Sequence, residues 1–262
     1  MIKFRDGFYA DVRTEDRSHT TISYKAGILE EMRTRVECRA FLRVYDGRMW
    51  YYASVTDLEN LQKTLDGLYD AATPNAQILD DQVVRLFERN KDTLMCFADC
   101  SVRDIPAKEK QNLLLSYLPL LSEDSCVSMP QGTYLDRNSL FHFQSSLGAD
   151  ITYDYQTCGL SFYCDMTEGE KKFSGHWQKG CTHFDELKGL DDEIRSAMTE
   201  QTAFMRNSVP VVSGRYPVVL SPEAAGVFAH ESFGHKSESD FMLSDETMRD
   251  CLLYTSPSPR DM

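Results

Sequence analysis

Four strand-like runs follow one another in the second half of the chain, and they constrain the fold more than any other feature. In each run apolar and polar residues alternate, and short turns rich in Gly and Ser separate the runs. Alternating segments joined by short turns are typical of antiparallel strands. We therefore predict an antiparallel meander with strands at 140–144, 151–157, 160–166 and 172–178.

The first 75 residues predict a small α+β domain of their own. Strand-like alternation occurs at 8–13 and 20–24, and a hairpin is indicated around Asp46-Gly47-Arg48. A helix with one apolar stripe follows the hairpin, and Thr73-Pro74-Asn75 ends the unit. The predicted fold class is thus α+β, with a domain at 1–75 followed by an antiparallel-sheet plus helix domain at 76–214.

The middle domain also contains three predicted helices. These are a short helix at 81–89, a helix at 108–121 that Pro119 bends or ends, and a long amphipathic helix at 184–205. His142, His176 and His183 lie in or beside the predicted strands without metal-ligand spacing, so we interpret them as structural.

Composition limits the classes of partner. The formal net charge of −13 argues against nucleic acid and anionic membranes, because phosphate contacts need clustered Lys and Arg. The most apolar run, 113–121, is too short to span a bilayer, and the first residues lack the apolar core of a secretory signal. We therefore expect a cytoplasmic protein with reduced cysteines and no membrane or nucleic-acid partner.

The segment His230-Glu231-Ser232-Phe233-Gly234-His235 carries the chemistry. Imidazole nitrogens bind Zn²⁺ and leave a coordination position for water, and a nearby carboxylate can take the proton of that water. The two His are five residues apart, so a regular helix turns them about 140° away from each other. Either a left-handed Gly234 that ends the helix or a π-bulge could bring them together. Without such a device they are ordinary residues of a helix end.

The helix that carries this motif has a clear start. Ser221 is a good N-cap and Pro222 a suitable first residue, so we predict a helix at 222–233, preceded by a strand-like run at 216–220.

Residues 216–241 resemble the TldD/PmbA family of metallopeptidases, which carries a strand, a helix start, H-E-x-x-G-H and then E-x-D. The resemblance implies a Zn²⁺-dependent peptidase in which His230 and His235 bind the metal and Glu231 is the general base. It also implies a peptide substrate and a homo- or heterodimer with a family member. Partner subunits of the PmbA type lack the motif, so its presence places this chain on the TldD-like, catalytic side.

Glu238 and Asp240 follow the motif at the E-x-D positions. A carboxylate that accepts the free N–H of a ligating His fixes its tautomer, so these two residues are candidates to support the metal ligands. A capping or surface role after the helix end is the alternative.

The resemblance implies a third metal ligand, a Cys from a C-terminal domain beyond the motif. Residues 251–262 do not resemble the family, and we interpret them as a non-native tail; a native Ser/Pro-rich tail is the alternative. Cys251 is therefore not proposed as a ligand. Residues 215–250 are then the truncated start of the metal-binding domain, and this fragment is expected to be inactive.

Three functions remain open at this point. The first is a zinc-dependent peptidase of the TldD/PmbA type. The second is a non-catalytic partner subunit of such a dimer, and the third is an acidic binding module that holds no metal.

Overall fold

Seven β-strands form one sheet in a computed structural model that describes residues 2–87, 89–247 and 249–250. The strand order is β3-β2-β1-β5-β6-β4, and β7 also pairs with β6. All pairings are antiparallel except that of β4 with β6. The predicted α+β class with an antiparallel sheet is confirmed. The strands are β1 (Tyr9–Lys25), β2 (Ile28–Tyr45), β3 (Trp50–Val55), β4 (Lys91–Leu94), β5 (Val127–Ser145), β6 (Asp150–Glu168) and β7 (Lys171–Cys181).

The strands are longer than the sequence suggested. β1 joins the two runs predicted at 8–13 and 20–24, and β6 passes through the turn predicted at 158–159. That turn prediction is wrong, because Gly159 serves a close backbone contact inside the sheet. A Cβ at Gly159 would lie 2.7 Å from the carbonyl oxygen of Lys179 in β7, so glycine is needed for close approach.

Five α-helices lie in the described residues: α1 (Leu61–Ala71), α2 (Ala107–Tyr117), α3 (Asp191–Asn207), α4 (Pro222–Ala229) and α5 (Ser239–Ser244). The helix predicted at 184–205 is divided into a 3₁₀ turn, Phe184–Leu187, and α3. Gly189 with φ +72° separates the two parts. The short helix predicted at 81–89 is only a 3₁₀ turn, Val84–Leu86. In the part of the chain described here, no helix has the length and apolarity that crossing a membrane requires.

α1, α2 and α3 cover one face of the sheet. α1 packs on β1 and β2 through Leu65 and Tyr69, which are buried against Val12 and Leu42. Farther along the sheet, α2 and α3 pack on β5, β6 and β7 around Phe162, which is fully buried. Burial of these apolar side chains is the main stabilising term for the sheet and its helices.

The described residues fall into two compact units, which divide between Ser208 and Val209. The first unit holds the whole sheet. β1 and β5 pair directly over most of their length, so residues on both sides of the boundary predicted at residue 75 belong to one sheet. The second unit contains α4, α5 and the motif segment.

Asp46 organises the predicted hairpin between β2 and β3. One carboxylate oxygen accepts the backbone N–H groups of Arg48 at 2.8 Å and Met49 at 2.9 Å. The other accepts the Tyr51 hydroxyl at 3.3 Å and the N–H of Thr73 at 3.4 Å. Burial alone would raise the pKa of Asp46, but these donors together hold that pKa below its usual value.

Replacement of Asp46 by Asn is expected to lower stability most strongly at neutral pH. Because the folded-state pKa lies below the unfolded value of about 3.9, the carboxylate stabilises the fold above that pH and loses its effect as pH falls through the folded pKa. Asp46→Asn should therefore cost about 1–3 kcal/mol near pH 7. Urea unfolding of both proteins at pH 7 and at about pH 3 measures this, since the difference should shrink at the lower pH. A difference that does not change with pH contradicts the prediction.

Candidate metal centre

The motif helix starts as its sequence predicts. The hydroxyl of Ser221 accepts the backbone N–H of Ala224 at 3.2 Å, and Pro222 is the first residue of α4. The first N–H groups of a helix have no partner within the helix. Ser221 accepts one of them, and Pro222 has no N–H group that would need an acceptor. The motif residues therefore emerge from the end of a well-capped helical turn.

A π-helix turn then brings the two His to one side of the chain. α4 continues as a π-helix at His230–Gly234, and the N–H of His235 donates to the carbonyl of His230. A hydrogen bond from residue i+5 to residue i defines a π-turn. In such a turn, residues five apart lie on the same face of the helix. Of the two devices considered from the sequence, the π-bulge is present. Gly234 is right-handed, with φ −56° and ψ −55°, so the left-handed alternative is wrong.

The three motif side chains approach one another closely. The ring centroids of His230 and His235 are 4.4 Å apart and their planes are inclined by 62°. A ligand atom from each of His230, Glu231 and His235 lies within 4.8 Å of the others, and all three side chains are exposed. Two nitrogens on one tetrahedral zinc ion lie about 3.4 Å apart, so a small side-chain adjustment suffices for a shared cation.

Glu238 fixes the orientation of His235. Its Oε1 atom lies 2.5 Å from Nδ1 of His235, and this hydrogen bond raises the pKa of the imidazole. With Nδ1 engaged, Nε2 is the nitrogen left for a metal, and it lies 3.7 Å from Oε2 of Glu231. Asp240 is in the first turn of α5, where its backbone carbonyl accepts the Ser244 hydroxyl at 2.8 Å. A supporting role for the Asp240 side chain stays a prediction.

Two features of this turn were not recognised from the sequence. A Cβ at Gly234 would lie 3.2 Å from Nδ1 of His230, so glycine at this position makes room for the imidazole. The hydroxyl of Ser232 donates to the carbonyl of Phe228 at 2.6 Å. A Ser hydroxyl that bonds to the carbonyl four residues back often bends a helix. Ser232 inside the motif was therefore the sequence feature that could have indicated an irregular helix here.

The other histidines considered take part in different contacts. His142 pairs with Asp150 at 2.7 Å, and the ring of His176 stacks on Tyr163. His183 closes a capping box with Glu186 at the 3₁₀ turn that precedes α3. Cys251 lies outside the described residues. Among the residues that are described, the metal-capable cluster is the one formed by the motif.

Comparisons with known proteins relate the chain to metalloproteases. Residues 10–72 match the family model described as PmbA/TldA metallopeptidase domain 1. A metalloprotease of Methanocaldococcus jannaschii is 23% identical over 92% of this chain and 54% of its own length. A zinc metalloprotease TldD homolog of Saccharolobus solfataricus is 48% identical over 40 residues, which are 15% of this chain and 9% of that protein. The resemblance to the TldD/PmbA family is confirmed.

Solved structures of TldD/PmbA-type proteins share the fold. TldE from Thermococcus kodakarensis superposes with a TM-score of 0.61 and 10% identity over 78% of this chain and 46% of its own. A Bacteroides thetaiotaomicron protein, called a candidate modulator of DNA gyrase, gives a TM-score of 0.69 and 17% identity over 90% of this chain and 54% of its own. The chain spans about half the length of the curated metalloproteases that it matches over most of its own length.

Proposed function

We propose that the protein is a zinc-dependent peptidase of the TldD/PmbA type. The observation that carries the proposal is the convergence of two imidazoles and a carboxylate within 4.8 Å on a π-helix turn. The names of the relatives support a metalloprotease at the level of the family.

His230 and His235 are the residues that would hold the ion. Their imidazoles with a nearby carboxylate are a donor set that zinc accepts, and the Glu238 hydrogen bond on His235 is the support that ligating imidazoles commonly have. A bound zinc ion would supply Lewis acidity and lower the pKa of water at the site. The third ligand that the resemblance implies, a Cys beyond the motif, is part of this proposal.

Glu231 is proposed as the general base. Its carboxylate faces the same space as the two rings, so it can accept a proton from the attacking water and return it to the leaving amine. Glu238 holds His235 in one tautomer during these proton transfers. The substrate class that follows is a peptide, and a dimeric, cytoplasmic enzyme is the accompanying proposal.

Zinc content and peptide hydrolysis of the full-length protein test the assignment. Purified protein should contain zinc, and chelation followed by zinc addition should remove and restore hydrolysis of a peptide mixture. The variants His230→Ala and His235→Ala should each lose most of the zinc and the hydrolysis. His176→Ala is the matched control, because this exposed histidine lies on β7, outside the motif cluster. Zinc retained by both motif variants, or hydrolysis that survives chelation, would refute the proposal.

A further inference from the structure

The face of the sheet opposite the helices carries a basic row. His19 in β1 is directly opposite Arg35 in β2 and Arg137 in β5, so three basic side chains lie side by side across three strands. Arg35 and Arg137 are the two permanently charged members of the row, and His19 lies between them. The row is thus a local concentration of positive charge in a chain with 41 acidic and 28 basic residues.

The neighbouring arginines on this face are charge-balanced, whereas the row is not. Arg17 pairs with Glu15 at 2.9 Å, and Arg33 pairs with Glu31 at 2.6 Å. Within the described part of the chain, neither Arg35 nor Arg137 has a carboxylate within salt-bridge distance. Arg13 on the same face is also without a carboxylate partner among the described residues, but its guanidinium lies over the ring of Phe143 and away from the row. The row is therefore where two such arginines lie close together.

The row also contains polar atoms without partners. Nδ1 of His19 and Nε of Arg137 are buried and make no hydrogen bond. The donors that a carboxylate can reach are the other guanidinium nitrogens of the half-buried Arg137 and those of the exposed Arg35. The guanidinium of Arg137 lies 5.8 Å from the ring centre of Tyr155 in β6. Tyr155 is 45% exposed and Leu135, on the same face, is 50% exposed, so apolar surface borders the row.

We propose that the basic row is a binding site for an acidic peptide segment. Guanidinium groups bind carboxylates in a bidentate manner, and Tyr155 and Leu135 provide contacts for the apolar parts of a peptide. A short peptide fits better than a nucleic acid, because a long polyanion would be repelled by the net charge of −13. This inference does not depend on the metal centre, which lies in the other unit of the chain.

Fluorescence anisotropy with a fluorescein-labelled peptide of alternating Glu and Tyr, at low ionic strength, tests the site. The double variant Arg35→Gln/Arg137→Gln should weaken binding by about tenfold or more, and added salt should weaken binding to the unmodified protein. Arg5→Gln/Arg85→Gln is the matched control and should bind normally, because it removes two charges whose partners are Asp66, Asp70 and Asp80. Any binding of a peptide of alternating Lys and Tyr, which the net charge of −13 favours, should not be weakened by the double variant.

Four results would overturn the inference. The double variant could bind as tightly as the unmodified protein. Inorganic phosphate could displace the peptide at equal concentration, which would indicate a small-anion site only, or a single-stranded oligonucleotide could bind more tightly than the peptide. Finally, thermal unfolding of the double variant at a clearly lower temperature would indicate a structural role, whereas loss of two arginines without carboxylate partners should leave the unfolding temperature nearly unchanged. Arg35→Gln alone, at an exposed position, keeps the test valid if the double variant folds poorly.

Discussion

Glu231→Gln is expected to keep zinc and to reduce peptide turnover by about 10²–10⁴-fold, the usual contribution of a general base. Gln has nearly the shape of Glu but cannot accept the proton of the attacking water. The two imidazoles and Glu238 remain in place in this variant, so the proposed metal ligands are intact. Zinc analysis and steady-state hydrolysis of the full-length protein measure the two quantities separately.

The same pair of measurements distinguishes a base from a ligand. Oε2 of Glu231 lies 3.7 Å from Nε2 of His235, close enough for a cation to lie between them. If Glu231 were a metal ligand, Glu231→Gln would lose zinc together with turnover. Glu223→Gln in the first turn of the same helix is the matched control and should change neither. Turnover that survives in Glu231→Gln would reject the base assignment.

The sequence predicted the elements of the sheet better than their lengths. The Asp46 hairpin and the antiparallel order follow from alternation and turn residues, which are local signals. The turn predicted at Gly159 was wrong because this glycine allows the backbone of Lys179 in β7 to come close. A contact with a residue distant in the sequence produces no local sequence pattern. Glycine inside an alternating run is compatible with both a turn and a close contact, so only the three-dimensional structure distinguishes them.

The run at 216–220 is a segment where the sequence predicts a strand that the structure does not contain. Its residues favour a strand, but they form no strand in the described structure, and Val219 is 97% exposed. A strand is stabilised by hydrogen bonds to a neighbour, and residues 209–247 and 249–250 contain no strand to pair with it. Strand propensity therefore indicates what a segment can form, while pairing decides what it does form.

The candidate site was predictable in its residues and only partly in its geometry. The His and Glu identities and the Ser221 cap follow directly from the sequence. The sequence did not decide between a left-handed glycine and a π-turn, because either would bring together two His that are five residues apart. The space that the missing Cβ of Gly234 leaves for the ring of His230 and the hydrogen bond of the Ser232 hydroxyl are features of the π-turn that the residue pattern alone does not reveal.

Lys110→Met is expected to destabilise the first unit by about 3–5 kcal/mol. Nζ of Lys110 in α2 lies 2.5 Å from Oδ2 of Asp136 in β5, and both side chains are almost fully buried, with 3% and 2% exposed. Asp136 also accepts the N–H of Thr20 at 3.0 Å and the hydroxyl of Tyr134 at 2.8 Å. Met fills the volume of the Lys stem but leaves the carboxylate buried without a counter-charge.

Chemical denaturation of a matched set of variants separates the charge effect from packing. In Lys110→Met/Asp136→Asn the uncompensated charge is gone while an acceptor for the N–H of Thr20 remains, so most of the lost stability should return. Lys188→Met is the control, because its ion pairs with Asp185 and Glu109 are exposed and should contribute little to stability. If the double variant were as unstable as Lys110→Met alone, the loss would come from packing of the Lys stem between α2 and the sheet, and the buried charge would not be its cause.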